Sequence, residues 1–102
     1  MTPEGTVKRG ITKILKREGI YYEMPVPGGY GKSGLDYNCC VVGQWLSIEA
    51  KAPGKKPTKR QETTMRHIRE AGGMAICCDG NYEIVEDAIR RLKHGCKEHG
   101  TR

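Results

Sequence analysis

The chain has 102 residues, enough for one domain with a modest core; with 36% hydrophobic residues, 14 glycines and no Phe, aliphatics, tyrosines and Trp45 must fill it. Eighteen Lys and Arg against 12 Asp and Glu leave a net charge of +6, which suits a polyanionic partner such as nucleic acid without singling one out. No stretch approaches the roughly 18 apolar residues of a membrane span, and Met1-Thr2-Pro3-Glu4 is not a signal peptide, so a soluble cytoplasmic protein is expected.

Thr2-Pro3 opens a helix, with a hydroxyl cap and proline at the first helical position. Val7, Ile11, Ile14 and Leu15 recur at helical spacing, and Gly19 closes the element. Residues 20–26 read as a strand that ends at Pro27-Gly28-Gly29, followed by a glycine-rich loop to Gly34. Leu35 to Val42 is a second strand, turned by Gly43-Gln44, and Trp45 to Lys51 is its hairpin partner. A basic loop with Lys55 and Lys56 leads to Thr58, which starts a second helix with Met65 and Ile68 inward and Gly72-Gly73 at its end. Met74 to Cys78 is a short apolar strand of the kind buried in a sheet. After the turn Asp79-Gly80-Asn81, a third helix places Ile84, Val85, Ala88, Ile89 and Leu92 on one face and stops at His94-Gly95. The sum is αβββαβα, one mixed-sheet α/β domain over residues 1–95 with a loose polar tail at 96–102.

Five cysteines raise the question of disulfides or zinc. Cys39-Cys40 and Cys77-Cys78 are adjacent pairs on strands, so neighbours face opposite ways and neither pair has zinc-knuckle spacing. Buried, reduced thiols are expected. His94, Cys96 and His99 are a weaker metal candidate in the tail.

The chemistry-bearing group is Asp36 with Glu49-Ala50-Lys51. In Trp45-Leu46-Ser47-Ile48-Glu49-Ala50-Lys51 the period of two puts Glu49 and Lys51 on one face and Leu46, Ile48 and Ala50 on the other. The hairpin brings Asp36 near Glu49, where two carboxylates repel unless a cation lies between them. Asp36, Glu49 and the Ala50 carbonyl would give Mg²⁺ three oxygen ligands and leave the rest for water and phosphate. Each residue also has a plain structural reading: a turn aspartate for Asp36, a solvated strand face for Glu49 and Lys51. Gln61 stands between two roles, since Thr58-x-x-Gln61 is a capping box while Gln61 also lies in line with Met65 and Ile68, facing the sheet. Glu4 offsets the dipole of the first helix or, stacked above Val7 and Ile11, reaches a metal.

Asp36, Glu49-Ala50-Lys51 and Pro57-Thr58-Lys59-Arg60-Gln61 together resemble the PD-(D/E)XK nuclease superfamily, and within it the VRR-Nuc domain, from Glu4 to about Leu92. The resemblance implies a restriction-endonuclease-like αβββαβ core, with an extra C-terminal helix here, and a Mg²⁺- or Mn²⁺-dependent DNA endonuclease. Asp36, Glu49 and the Ala50 carbonyl are then metal ligands, with Glu4 matching the acidic residue of the family's first helix. Lys51 becomes the catalytic lysine and Gln61 the glutamine of the active site. Stand-alone phage and bacterial members resemble Holliday-junction resolvases, so a homodimer acting on branched DNA in the bacterial or phage-infected cytoplasm is implied. Leu35 departs from the proline usual before the aspartate.

Lys32, Lys55, Lys56, Lys59 and Arg60 are the residues expected to meet DNA phosphates. The competing readings are a non-catalytic DNA-binding module, a flap-type nuclease subunit of a larger repair complex, and a structural protein whose Glu-x-Lys is a wet strand edge.

Overall fold

The computed structural model describes residues 1–26 and 34–98. The elements run α1 (Pro3–Arg17), β1 (Tyr21–Glu23), β2 (Tyr37–Val41), β3 (Gln44–Ala50), α2 (Lys59–Glu70), β4 (Met74–Cys78) and α3 (Glu83–Glu98). The strands form one sheet in the order β1-β2-β3-β4. The first three are antiparallel, and β4 lies parallel to β3, reached by the crossover through α2. Among the described residues this is a mixed α/β fold with three helices, and the element order is the one the sequence pattern implies.

α1 begins where the sequence indicates, with the Thr2 hydroxyl accepting from the Gly5 N–H at 3.0 Å. Its buried stripe is Val7, Ile11, Ile14 and Leu15, and Gly19 turns the chain at φ +68. That stripe meets Tyr37, Cys39, Val41, Leu46, Ile48 and Ala50 on one face of the sheet, with Val85, Ala88, Ile89 and Leu92 of α3 completing the larger core. Helix α1 approaches the start of α3 closely at Gly10, where a Cβ would collide with the Tyr82 ring. The opposite face is more thinly covered. There α2 sets Met65 against Leu35 and Ala75, with Ile68 and Cys77 beside them. Because α1 and α3 cover one side of β3 and α2 the other, residues 46–50 are all buried.

Several expectations need correction. β1 is three residues long rather than seven, since Pro25 has no N–H to give a ladder and β1 pairs on one edge only. The β2–β3 turn is Val42-Gly43, with Val41 opposite Gln44, so Gln44 belongs to the strand. Helix α3 passes through Gly95 to Glu98 and is not stopped at His94; glycine weakens an exposed helix by about 1 kcal/mol without ending it. Ile84 points outward at 38% exposure, whereas the rest of its expected stripe is buried. Cys39 and Cys78 are buried and Cys77 is partly so, but Cys40 is exposed; all four are free thiols. Residues 27–33, which hold all of the glycine loop but Gly34, and His99 lie outside the described residues. No described helix is long and apolar enough to cross a membrane.

Candidate active site

The β2–β3 hairpin does the first part of the assembly. Tyr37 pairs with Ile48, so the residue before Tyr37 and the residue after Ile48 meet at the open end of the ladder. Asp36 and Glu49 occupy those positions. The Ala50 N–H donates to Asp36 Oδ2 at 2.8 Å, which fixes the aspartate against the β3 backbone. The Ala50 side chain itself is buried in the larger core.

Glu49 is 4% exposed, one of only two buried polar residues among those described. The solvated-strand reading therefore does not apply to it. Lys51 follows on the same face and places Nζ 3.7 Å from Glu49 Oε2. Across β3–β4, Glu49 is in register with Cys77. Burial, and after it the Asp36 charge, push the Glu49 carboxyl up to about 7 against the opposing pull of Lys51. The Glu49 carboxyl is therefore partly protonated near neutrality.

Helix α2 supplies the next contact, and Gln61 serves both of its expected roles. Its backbone N–H donates to Thr58 Oγ1 at 3.2 Å, and its Oε1 accepts from the Thr58 N–H at 2.9 Å, a complete capping box. The cap uses none of the side-chain N–H groups, and Nε2 donates to Glu49 Oε2 at 2.8 Å. One planar amide thus couples the helix start to the buried carboxylate.

Helix α1 contributes a residue that the pattern did not single out. Lys8 Nζ lies 3.4 Å from Asp36 Oδ1 and 3.7 Å from Glu4 Oε2. Glu4, expected as a third carboxylate, is thus placed on Lys8 and is 44% exposed at its side chain. Among the described residues no three of His, Cys, Asp and Glu gather closely enough to hold a metal ion. The i,i+4 spacing of Glu4 and Lys8 was the available signal for this pair; the reach of Lys8 to Asp36 had none.

Of the residues expected at phosphates, Lys55, Lys56, Lys59 and Arg60 are all exposed, on the loop after β3 and the first turn of α2. Lys32 lies outside the described residues. Lys59 and Arg60 sit at the positive end of the α2 dipole, where cations are disfavoured unless an anion joins them. Compared with protein-family models, curated protein sequences and solved structures, the chain matches none of them.

Proposed function

We propose that the chain is a Mg²⁺- or Mn²⁺-dependent DNA endonuclease with a restriction-endonuclease-like core of the PD-(D/E)XK type. One observation carries this reading: Glu49 is buried at the open end of a hairpin with Asp36, Lys51 and Gln61 gathered around it. Burying a carboxylate costs folding free energy, and strongly shifted titratable groups concentrate where catalysis uses them.

The donor set fits a hard divalent cation. Asp36 and Glu49 offer carboxylate oxygens and Ala50 a backbone carbonyl, and Mg²⁺ keeps several waters, so a full protein cage is not required. Burial first, and then the Asp36 charge, hold a proton on Glu49, and the same repulsion between the carboxylates makes the pair a receptor for positive charge. When bound, such an ion supplies Lewis-acid polarisation of a phosphate and a lowered pKa for the attacking water. Lys51, held beside Glu49, orients that water and offsets charge building on the phosphorane. Gln61 keeps one Glu49 oxygen oriented, and Lys8 with Glu4 does the same for Asp36 from α1.

Lys55, Lys56, Lys59 and Arg60 meet the DNA backbone beside the site. No base-reading motif is present, so DNA shape, branched DNA above all, is what the enzyme recognises. A homodimer would relate two such sites by a two-fold axis and allow paired cuts; sedimentation equilibrium tests this directly.

The decisive experiment incubates labelled four-way junction, flap and splayed duplex with Mg²⁺, Mn²⁺ or EDTA. Cleavage in either metal and none in EDTA is expected, with Lys51→Ala slowing the rate by on the order of 10²-fold or more while junction affinity holds. Binding without cleavage in both metals, unaltered by Lys51→Ala, would leave a DNA-binding module instead.

A further inference from the structure

The charge of this chain is not spread evenly. On and around α3 the cations are neutralised at home: Arg17 by Glu18 and Glu86, Arg90 and Arg91 by Asp87, and Lys93 by Glu18. On α2, Arg66 pairs with Glu70. On α1 the pattern reverses. Arg9, Lys13 and Lys16 are exposed and have no carboxylate within 4 Å among the described residues, and Lys8 bridges to Asp36.

These four α1 cations line one groove of about 290 Å³, closed on its other side by Met24 and Tyr37. The groove is held rigidly. Tyr37 is fully buried, yet its hydroxyl donates to the Lys8 carbonyl at 2.8 Å and pairs with the Thr12 hydroxyl at 2.9 Å. Tyr37 also follows Asp36 directly in the chain, so one side chain sets the register between the basic helix and the candidate site. Lys8 belongs to both.

We propose that this α1 groove is a second nucleic-acid surface, one that carries the DNA phosphate backbone away from the site on the side opposite Lys55, Lys56 and Lys59. The substrate is thereby gripped on both flanks of the scissile position. Lys8 to Lys16 spans about 12 Å along the helix axis, the rise of three to four phosphates of one strand. Apolar Met24, 45% exposed, suits the sugar edge between phosphates. The choice of DNA over another polyanion rests on the nuclease reading, through the shared Lys8.

The test is the triple substitution Arg9→Gln/Lys13→Gln/Lys16→Gln, which leaves Lys8 and the site intact. Its control is Arg90→Gln/Arg91→Gln/Lys93→Gln, which removes the same three positive charges from α3. Binding of labelled duplex and four-way junction is followed by anisotropy in EDTA over a salt series. The α1 variant should weaken binding on the order of tenfold and reduce the log–log salt slope by about 2 to 3. The α3 variant should leave both affinity and slope near the wild type. Equal loss in the two variants would reduce the effect to net charge, and no loss in the α1 variant would remove the groove outright. Loss of binding to anionic phospholipid vesicles, with DNA affinity untouched, would assign the groove to a membrane surface and overturn the proposal. A wild type that binds DNA through this groove but never cuts sinks the nuclease reading alone; one that cuts with affinity indifferent to the α1 substitutions sinks the groove alone.

Discussion

Glu49 concentrates the residue-scale physics. In the folded chain its carboxyl is raised to about 7, chiefly by burial and then by Asp36, from 4.5 when unperturbed. Between those values the unfolded chain has released the proton and the folded chain still holds it, so this group makes stability fall as pH rises. Below about 4.5 both states are protonated and above about 7 both are ionised, and the contribution levels off. Thermal melts in EDTA should therefore show wild type losing on the order of 3 kcal/mol relative to Glu49→Gln between pH 4.5 and 8. The glutamine copies the protonated acid, with its NH₂ toward Asp36 and its oxygen toward Gln61. Parallel pH profiles for the two proteins would show that Asp36, Lys51, Gln61 and Cys77, the groups facing Glu49, leave it an ordinary carboxylate. Gln61 invites a second comparison. Thr58→Ala removes the cap alone, at about 1 kcal/mol. Gln61→Ala removes the reciprocal cap bond and the donor to Glu49 together, so it should also slow cleavage at saturating DNA by roughly tenfold or more. Equal rates in the two variants would reduce Gln61 to a helix cap.

At the scale of elements, the hairpin that brings Asp36 to Glu49 turns on an awkward residue. Val42 and Gly43 both have positive φ, +43 and +82. That is the pattern of the two-residue turn matching strand twist, and it favours Asn-Gly. A β-branched side chain there costs about 1–3 kcal/mol. Val42 is half exposed, so its loss removes little packing. Val42→Asn should raise stability by about 1 kcal/mol with an unchanged m-value in urea. A decrease would mean that contacts of the valine side chain outweigh its backbone strain. The parallel β3–β4 pair depends in the same way on α2, whose capping box fixes where the crossover helix begins.

At the scale of the whole molecule, the sheet is covered unequally: a large core under α1 and α3, a small one under α2. Burial pushes the Cys39 thiol up to about 12, while Cys40, the next residue, faces out. In a Cys96→Ser background, iodoacetamide should modify Cys40 promptly in the native protein. It should reach Cys39 and Cys78 only as fast as the molecule unfolds globally. Fast native labelling of Cys39 would mean that the α1–α3 side opens locally.

The periodicity of Val7, Ile11, Ile14 and Leu15, the Thr2 and Thr58 caps, and the alternation from Trp45 to Lys51 sufficed for the element order and for the side of β3 on which Glu49 lies. These are local effects, settled by residues within a turn or a strand of each other. The length of β1, the continuation of α3 past Gly95 and the outward turn of Ile84 were not legible, because each depends on what packs alongside. The site divides the same way. Asp36, Glu49, Lys51 and Gln61 stood out as a set, but the choice for Gln61 between cap and site dissolved once α2 was laid over β3. Glu4 was drawn to Lys8, and Lys8 to Asp36, by proximity across the end of the sheet. Sequence spacing sets which side chains share a face; only the packing of helix on sheet decides which faces meet, and with them which charges are buried together.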